Sequence, residues 1–129
     1  VILNDAVRAL LDARNYAVLC TTNPDGSPQS SVLWVARDGD DLLFSTLRDR
    51  RKELNLRRDP RASVTVFDLA DPESYAEIRG TTTITEDVGL VVGHRLSRKY
   101  TGQDHALPAE GQVRVVLRVT PTKVTGHVA

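Results

Sequence analysis

One cysteine, one tryptophan and two phenylalanines among 129 residues exclude several kinds of protein at once. The lone Cys20 cannot form an intrachain disulfide. Its place in the apolar run Tyr16-Ala-Val-Leu-Cys20 reads as a buried, inert thiol on a strand rather than a nucleophile. His94, His105 and His127 are scattered without metal-ligand spacing, so no metal site is expected; the first two read as surface residues and the third as strand or tail. No apolar run approaches the ~18 residues of a membrane span, and no secretory leader is visible, which makes the cytoplasm the expected compartment. Acids and bases balance at 17 each, so no net field draws the chain to nucleic acid or membrane. The few aromatics supply no interleaved stacking platform for single strands. Gly-x-Gly-x-x-Gly and Walker patterns are missing, as are a Ser/His/Asp set, a Cys/His pair and a convincing carboxylate pair, which removes the usual routes to acyl transfer and hydrolysis.

Local imbalance takes the place of net charge. Between Arg48 and Arg61 lie seven of the 17 basic residues, Arg48, Arg50, Arg51, Lys52, Arg57, Arg58 and Arg61, against the three acids Asp49, Glu53 and Asp59. The stretch follows an apolar segment ending in Ser45-Thr46 and opens a short helix. Hydroxyls, an arginine fork, a lysine point charge and free helix-start N–H groups together suit a phosphate or carboxylate.

The length suits one domain, too short for separate cofactor and substrate domains. Asn4 caps an expected helix to about Arg14, with Val7, Leu10 and Leu11 on one face. Tyr16 to Thr22, Pro28 to Arg37 and Leu42 to Thr46 read as strands joined by the turns Asn23-Pro-Asp-Gly26 and Asp38-Gly-Asp-Asp41, an antiparallel meander. A helix from Arg51 to Arg58 stops before Pro60, and Arg61 to Leu69 resumes strand alternation. Asp71-Pro72 reads as a loop, and Tyr75 to Thr85 as a long strand with a bulge or bend at Gly80. Glu86 to Tyr100 reads as a helix, Thr101 to Gly111 as a polar loop, and Gln112 to Thr120 and Thr122 to Val128 as two strands meeting at Pro121. About seven strands with three peripheral helices predict a mainly β, antiparallel barrel rather than a doubly wound sheet.

Asp25-Gly-Ser-Pro-Gln29 before a strand carrying Trp34, then Phe44-Ser-Thr46, Arg50-Arg-Lys52, Asn55-Leu-Arg-Arg-Asp-Pro-Arg-Ala62 and Ile78-Arg-Gly80, closely resemble the split-barrel flavin and deazaflavin proteins related to pyridoxamine phosphate oxidase. The compact length, the Arg-Arg-Asp-Pro-Arg-Ala block and the ending Arg114-Val-Val-Leu-Arg-Val-Thr-Pro121 look most like the branch of reductases that use the deazaflavin coenzyme F420. The resemblance implies a homodimer of split barrels with cofactors in grooves between the subunits. It implies that Arg50 and Lys52, flanked by Arg51, hold the cofactor phosphate with Ser45 and Thr46. Gln29, Ser31 and Trp34 would line the ring region, while Tyr75 and Arg114 would reach a cofactor held mainly by the other subunit. Arg57, with Arg58 and Arg61, would meet the coenzyme's polyglutamate tail. The parent oxidases continue into a C-terminal segment that grips the substrate phosphate, and this chain ends Val124-Thr-Gly-His-Val-Ala129, so vitamin oxidation is not expected.

The missing acid, base and nucleophile sets agree with such a role, because the cofactor carries the redox chemistry and the fold supplies orientation and dryness. The implied reaction is hydride transfer to a small unsaturated organic acceptor, with a proton from solvent or a hydroxyl such as that of Tyr100 or Ser31. FMN in place of the deazaflavin, and a binding protein without turnover, stay open as alternatives. Trp34 reads equally as ring contact, core or dimer interface.

Overall fold

The computed structural model describes all residues 1–129. Helix α1 (Asp5–Asp12) is followed by strands β1 (Ala17–Thr22), β2 (Pro28–Leu33), β3 (Ala36–Asp38) and β4 (Asp41–Leu47), then helix α2 (Arg51–Arg58), strands β5 (Arg61–Asp68) and β6 (Asp71–Glu86), helix α3 (Val91–Thr101) and strand β7 (Arg114–Thr125). All seven strands join one antiparallel sheet in the order β2-β1-β5-β6-β7-β4-β3.

Edge strands β2 and β3 are separated in sequence only by Trp34 and Val35. A seven-stranded sheet whose two edges lie two residues apart must curl almost onto itself, and because no ladder joins β2 to β3 the closure is incomplete. This is the split barrel expected, with one correction: Pro28 to Arg37 is not one strand. It breaks at Trp34-Val35, where the chain crosses from one sheet edge to the other.

Inside the barrel, Leu19, Leu42, Phe44, Val64, Val66, Ile78, Leu117 and Val119 are fully buried, and α1 adds Val7, Leu10 and Leu11 to the same core, with Leu3 just before the helix. The Asn4 side chain caps α1 by accepting from the Val7 N–H at 2.8 Å. A second cluster, Ala36, Leu43, Leu96 and Val116, seats α3 against the outer face of β4, with Trp34 and Val92 at its margin.

Three further boundaries differ from the sequence reading. Asp71-Pro72 begins β6 rather than forming a loop, since the turn is confined to Leu69-Ala70. The two strands expected between Gln112 and Val128 are one, β7, because Pro121 sits at a register shift opposite Gly80 where no ladder N–H is needed. The bulge foreseen at Gly80 is present, and a Cβ there would overlap the Thr120 carbonyl oxygen and lie 2.8 Å from Val119 Cγ1. Helix α3 starts later than Glu86: Glu86 still pairs with Val115 in the sheet, and the Asp87 carboxylate accepts from the N–H groups of Val92 (3.1 Å) and Gly93 (2.8 Å), capping the helix from outside.

Candidate functional site

Strand β4 delivers the anion-binding segment. Its last residue pairs Leu47 with Arg114 on β7, and the Arg48 N–H donates to the Val113 carbonyl at 2.8 Å, so Arg114 stands beside the turn that leads into α2. The turn spans Leu47 to Arg50, with an Arg50 N–H to Leu47 carbonyl bond of 3.3 Å and Asp49 at φ +73°. Helix α2 then opens without a side-chain cap from Arg50, leaving its first N–H groups available.

Above this turn lies a cavity of about 440 Å³ lined by Ser45, Thr46 and Leu47 of β4, Arg50, Lys52 and Arg114, then Tyr16, Val32, Leu33 and Trp34 at the split edge, and Leu96 and His105 from α3 and its following loop. One end is therefore cationic and the other aromatic and aliphatic. The Trp34 ring stacks on Tyr100 at 5.3 Å with an interplanar angle of 6°, and Tyr100 stacks in turn on Tyr16 at 5.7 Å. Lys99 holds this stack to the barrel: its ammonium donates to the carbonyls of Leu11 (2.5 Å) and Val35 (2.6 Å) and lies 5.0 Å from the Tyr100 ring centre. Burial lowers the Lys99 pKa to about 8.

Arg50, Lys52 and Arg114 make no ion pair with any carboxylate, although eleven arginine–carboxylate contacts occur elsewhere. Burial and, second, the Arg50 charge push the pKa values of both Lys52 and Arg114 below their ordinary values. Two partly buried cations, each repelled by Arg50 and neither paired with a carboxylate, form a site short of an anion. Ser45 strengthens that reading: its hydroxyl oxygen is buried with no hydrogen-bond partner, on the wall of the same cavity. An unsatisfied hydroxyl beside unpaired cations fits a phosphate, and the flat apolar end fits a fused ring.

The site residues expected from sequence are thus divided. Arg50, Lys52, Ser45, Thr46, Trp34 and Arg114 meet in one cavity, and Arg114 does so within its own chain. The Ser31 hydroxyl is buried and unpartnered on β2, next to the lining residue Val32. Gln29 instead accepts from the Thr21 hydroxyl at 2.6 Å and shares a separate trough with Arg51, near Asn23 to Asp25. Tyr75 packs its ring against His127, 5.4 Å away, in another part of the sheet. Arg57 points away from the cavity and pairs with Glu53 and Asp49; Arg61 pairs with Asp59, and Arg58 donates to the Thr22 carbonyl. The Tyr100 hydroxyl is engaged by Asn15 and Val35 rather than lining the cavity. Tyr16, Leu96 and His105 line the cavity without having been singled out from sequence. His105 in particular is no plain surface residue: its N–H donates to His94 Nδ1 at 3.0 Å and its ring Nδ1 lies 2.6 Å from the Ala106 carbonyl.

A split barrel with a cavity cationic at one end and aromatic at the other is the build of a domain for a phosphorylated ring cofactor. Residues 3–128 match the sequence family described as pyridoxamine 5'-phosphate oxidase, and the chain belongs to that family. A solved structure named F420 reductase is similar at 31% identity and a TM-score of 0.86, with 95% of this chain and 98% of that chain covered. A pyridoxamine 5'-phosphate oxidase-related, FMN binding protein from Nostoc punctiforme shares the fold at 18% identity and a TM-score of 0.63, over 92% of this chain and 77% of that one. General Stress Protein 26 from Bacillus anthracis also shares it, at 21% identity and 0.72, over 93% and 89%. The family is one of flavin- and deazaflavin-type oxidoreductases, and no helix of the chain is long and apolar enough to cross a membrane.

Proposed function

We propose that the protein is an oxidoreductase that uses reduced coenzyme F420 to reduce a small unsaturated organic acceptor. The observation that carries this reading is the convergence of Arg50, Lys52 and Arg114, none paired with a carboxylate, at one end of a cavity walled at the other end by Trp34, Val32, Leu33 and Leu96. The 31% identity to the F420 reductase over nearly the whole of both chains supports the deazaflavin over FMN, which is the second reading through the FMN binding relative.

In this reading Arg50 and Lys52 hold the coenzyme phosphate, Arg114 joins them from β7, and the Ser45 hydroxyl donates the bond that it lacks. Trp34, backed by Tyr100 and Tyr16, presents a rigid face for the ring and keeps water from it. When bound, the coenzyme supplies the hydride. The second copy of a homodimer would cover Val32, which is 65% exposed at the cavity mouth, and would explain why Gln29, Arg51 and Tyr75 lie outside the cavity of their own chain. The test is anaerobic spectrophotometry of reduced coenzyme F420 with a panel of α,β-unsaturated carbonyl compounds. Oxidation that depends on protein and acceptor supports the reductase reading; tight binding with no turnover across the panel would make the protein a carrier.

A further inference from the structure

Glu53 is the least expected residue in the structure. It lies in the first turn of a helix that opens on Arg51 and Lys52 after Arg50, yet it is 0% exposed, and its Oε2 has no hydrogen-bond partner. A buried carboxylate with one oxygen unsatisfied destabilises a fold relative to an apolar side chain of similar size, so stability does not account for it. Such departures from local rules concentrate where function needs them.

Its other oxygen shows the use. Glu53 Oε1 accepts from the Asp49 backbone N–H at 2.9 Å and from the Arg57 guanidinium, which also reaches Asp49 Oδ1 at 3.1 Å. Glutamate at the third helical position normally reaches back to the N-cap N–H; here it reaches one residue further, to the centre of the Leu47–Arg50 turn. Asp49 has φ +73°, a left-handed conformation that a non-glycine residue holds only under constraint. The turn's own bond, Arg50 N–H to the Leu47 carbonyl, is long at 3.3 Å. Glu53 thus ties the centre of the turn that leads into Arg50 and Lys52, by a bond shorter than the turn's own. It does not act on Lys52 through charge, since burial and Arg50 are what shift that lysine.

We propose that Glu53, held by Arg57, is a positioning residue for the anion clamp: it fixes the Asp49 turn in the geometry that brings Arg50 and Lys52 together on one phosphate. This deepens the cofactor reading and rests on it for the identity of the ligand. It also gives Arg57 a role different from the tail contact inferred from the sequence.

The test uses two readouts on wild type, Glu53→Gln, Glu53→Leu and Arg57→Leu. Hydrogen exchange of residues 48–52 in the ligand-free protein reports the turn itself, and fluorescence titration with coenzyme F420 and with FMN reports the clamp. Glu53→Gln keeps an oxygen that can accept from the Asp49 N–H, so exchange and Kd are expected to match those of wild type. Glu53→Leu removes the acceptor while filling the space, and faster exchange with roughly tenfold weaker binding or more is expected, whatever happens to the unfolding midpoint. Should Glu53→Leu fail to fold, Arg57→Leu, on the exposed side of α2, carries the same expectation at about threefold. Folded Leu variants with wild-type exchange and wild-type Kd would overturn the proposal, as would a Gln variant as damaged as Glu53→Leu. If wild type binds neither cofactor, the cofactor reading falls, while the exchange readout still decides whether Glu53 holds the turn.

Discussion

Replacing Lys52 with methionine separates what the cationic end of the cavity does for binding from what it does to stability. Methionine keeps the apolar stem and removes only the charge. In the ligand-free protein that charge is partly desolvated and repelled by Arg50, and no carboxylate compensates it. Its removal should leave the fold no less stable and can raise stability by up to ~1 kcal/mol, a ceiling set by solvent screening of a half-exposed group. Binding should move the other way. A hydrogen bond to a charged partner contributes about 1.5–3 kcal/mol, so the cofactor Kd should rise roughly 12- to 150-fold. Urea unfolding without ligand gives the first quantity, provided that the m-value is unchanged, and fluorescence titration gives the second. A variant that is both less stable and weaker in binding would mean that Lys52 is a structural residue, and an unchanged Kd would remove it from the site.

Other consequences follow from the same structure. Lys99 has a folded pKa near 8 against an ordinary value of 10.5, so the unfolded chain binds more protons between those pH values, and stability should rise as pH increases from about 8 to about 10.5; the gain, measured by urea unfolding, should vanish in Lys99→Met. At pH 7 that same variant should be less stable by about 1–3 kcal/mol, because the Leu11 and Val35 carbonyls lose their donor; equal stability would show that water replaces the ammonium. Gly80→Ala drives a Cβ into the Thr120 carbonyl and should cost about 2 kcal/mol or more, seen as a lower unfolding midpoint, whereas unchanged stability would mean that the bulge relaxes freely.

The elements that sequence revealed were those ended by local chemistry. Pro60 stops α2, Asn4 starts α1, and Gly80 marks the bend, each through backbone geometry that needs no knowledge of the rest of the chain. The misjudged boundaries depend on distant partners. Trp34-Val35 extends the apolar run Val32-Leu33 that ends β2, and only closure of the curled sheet makes it a corner. Pro121 reads as a strand break until Gly80 is placed opposite it. The site divides in the same way. Ser45, Thr46, Arg50 and Lys52 are neighbours in sequence and were legible as a cluster, while Tyr16, Leu96 and His105 join them only because α3 and the split edge fold over β4. Arg57 looked like one more cation for a ligand. Its service to Glu53 was hidden because nothing in the helical pattern marks Glu53 as buried.

The cavity contains the only tryptophan, so its occupation can be followed from the protein side as well as from the ligand. The most direct measurement is a side-by-side titration of the ligand-free protein with coenzyme F420 and with FMN, recording Trp34 quenching and cofactor fluorescence at two salt concentrations. Saturable quenching by both phosphorylated ring compounds is expected, tighter for coenzyme F420 and weaker at the higher salt. Failure of both compounds to quench Trp34 would contradict the assignment of the cavity as a cofactor site.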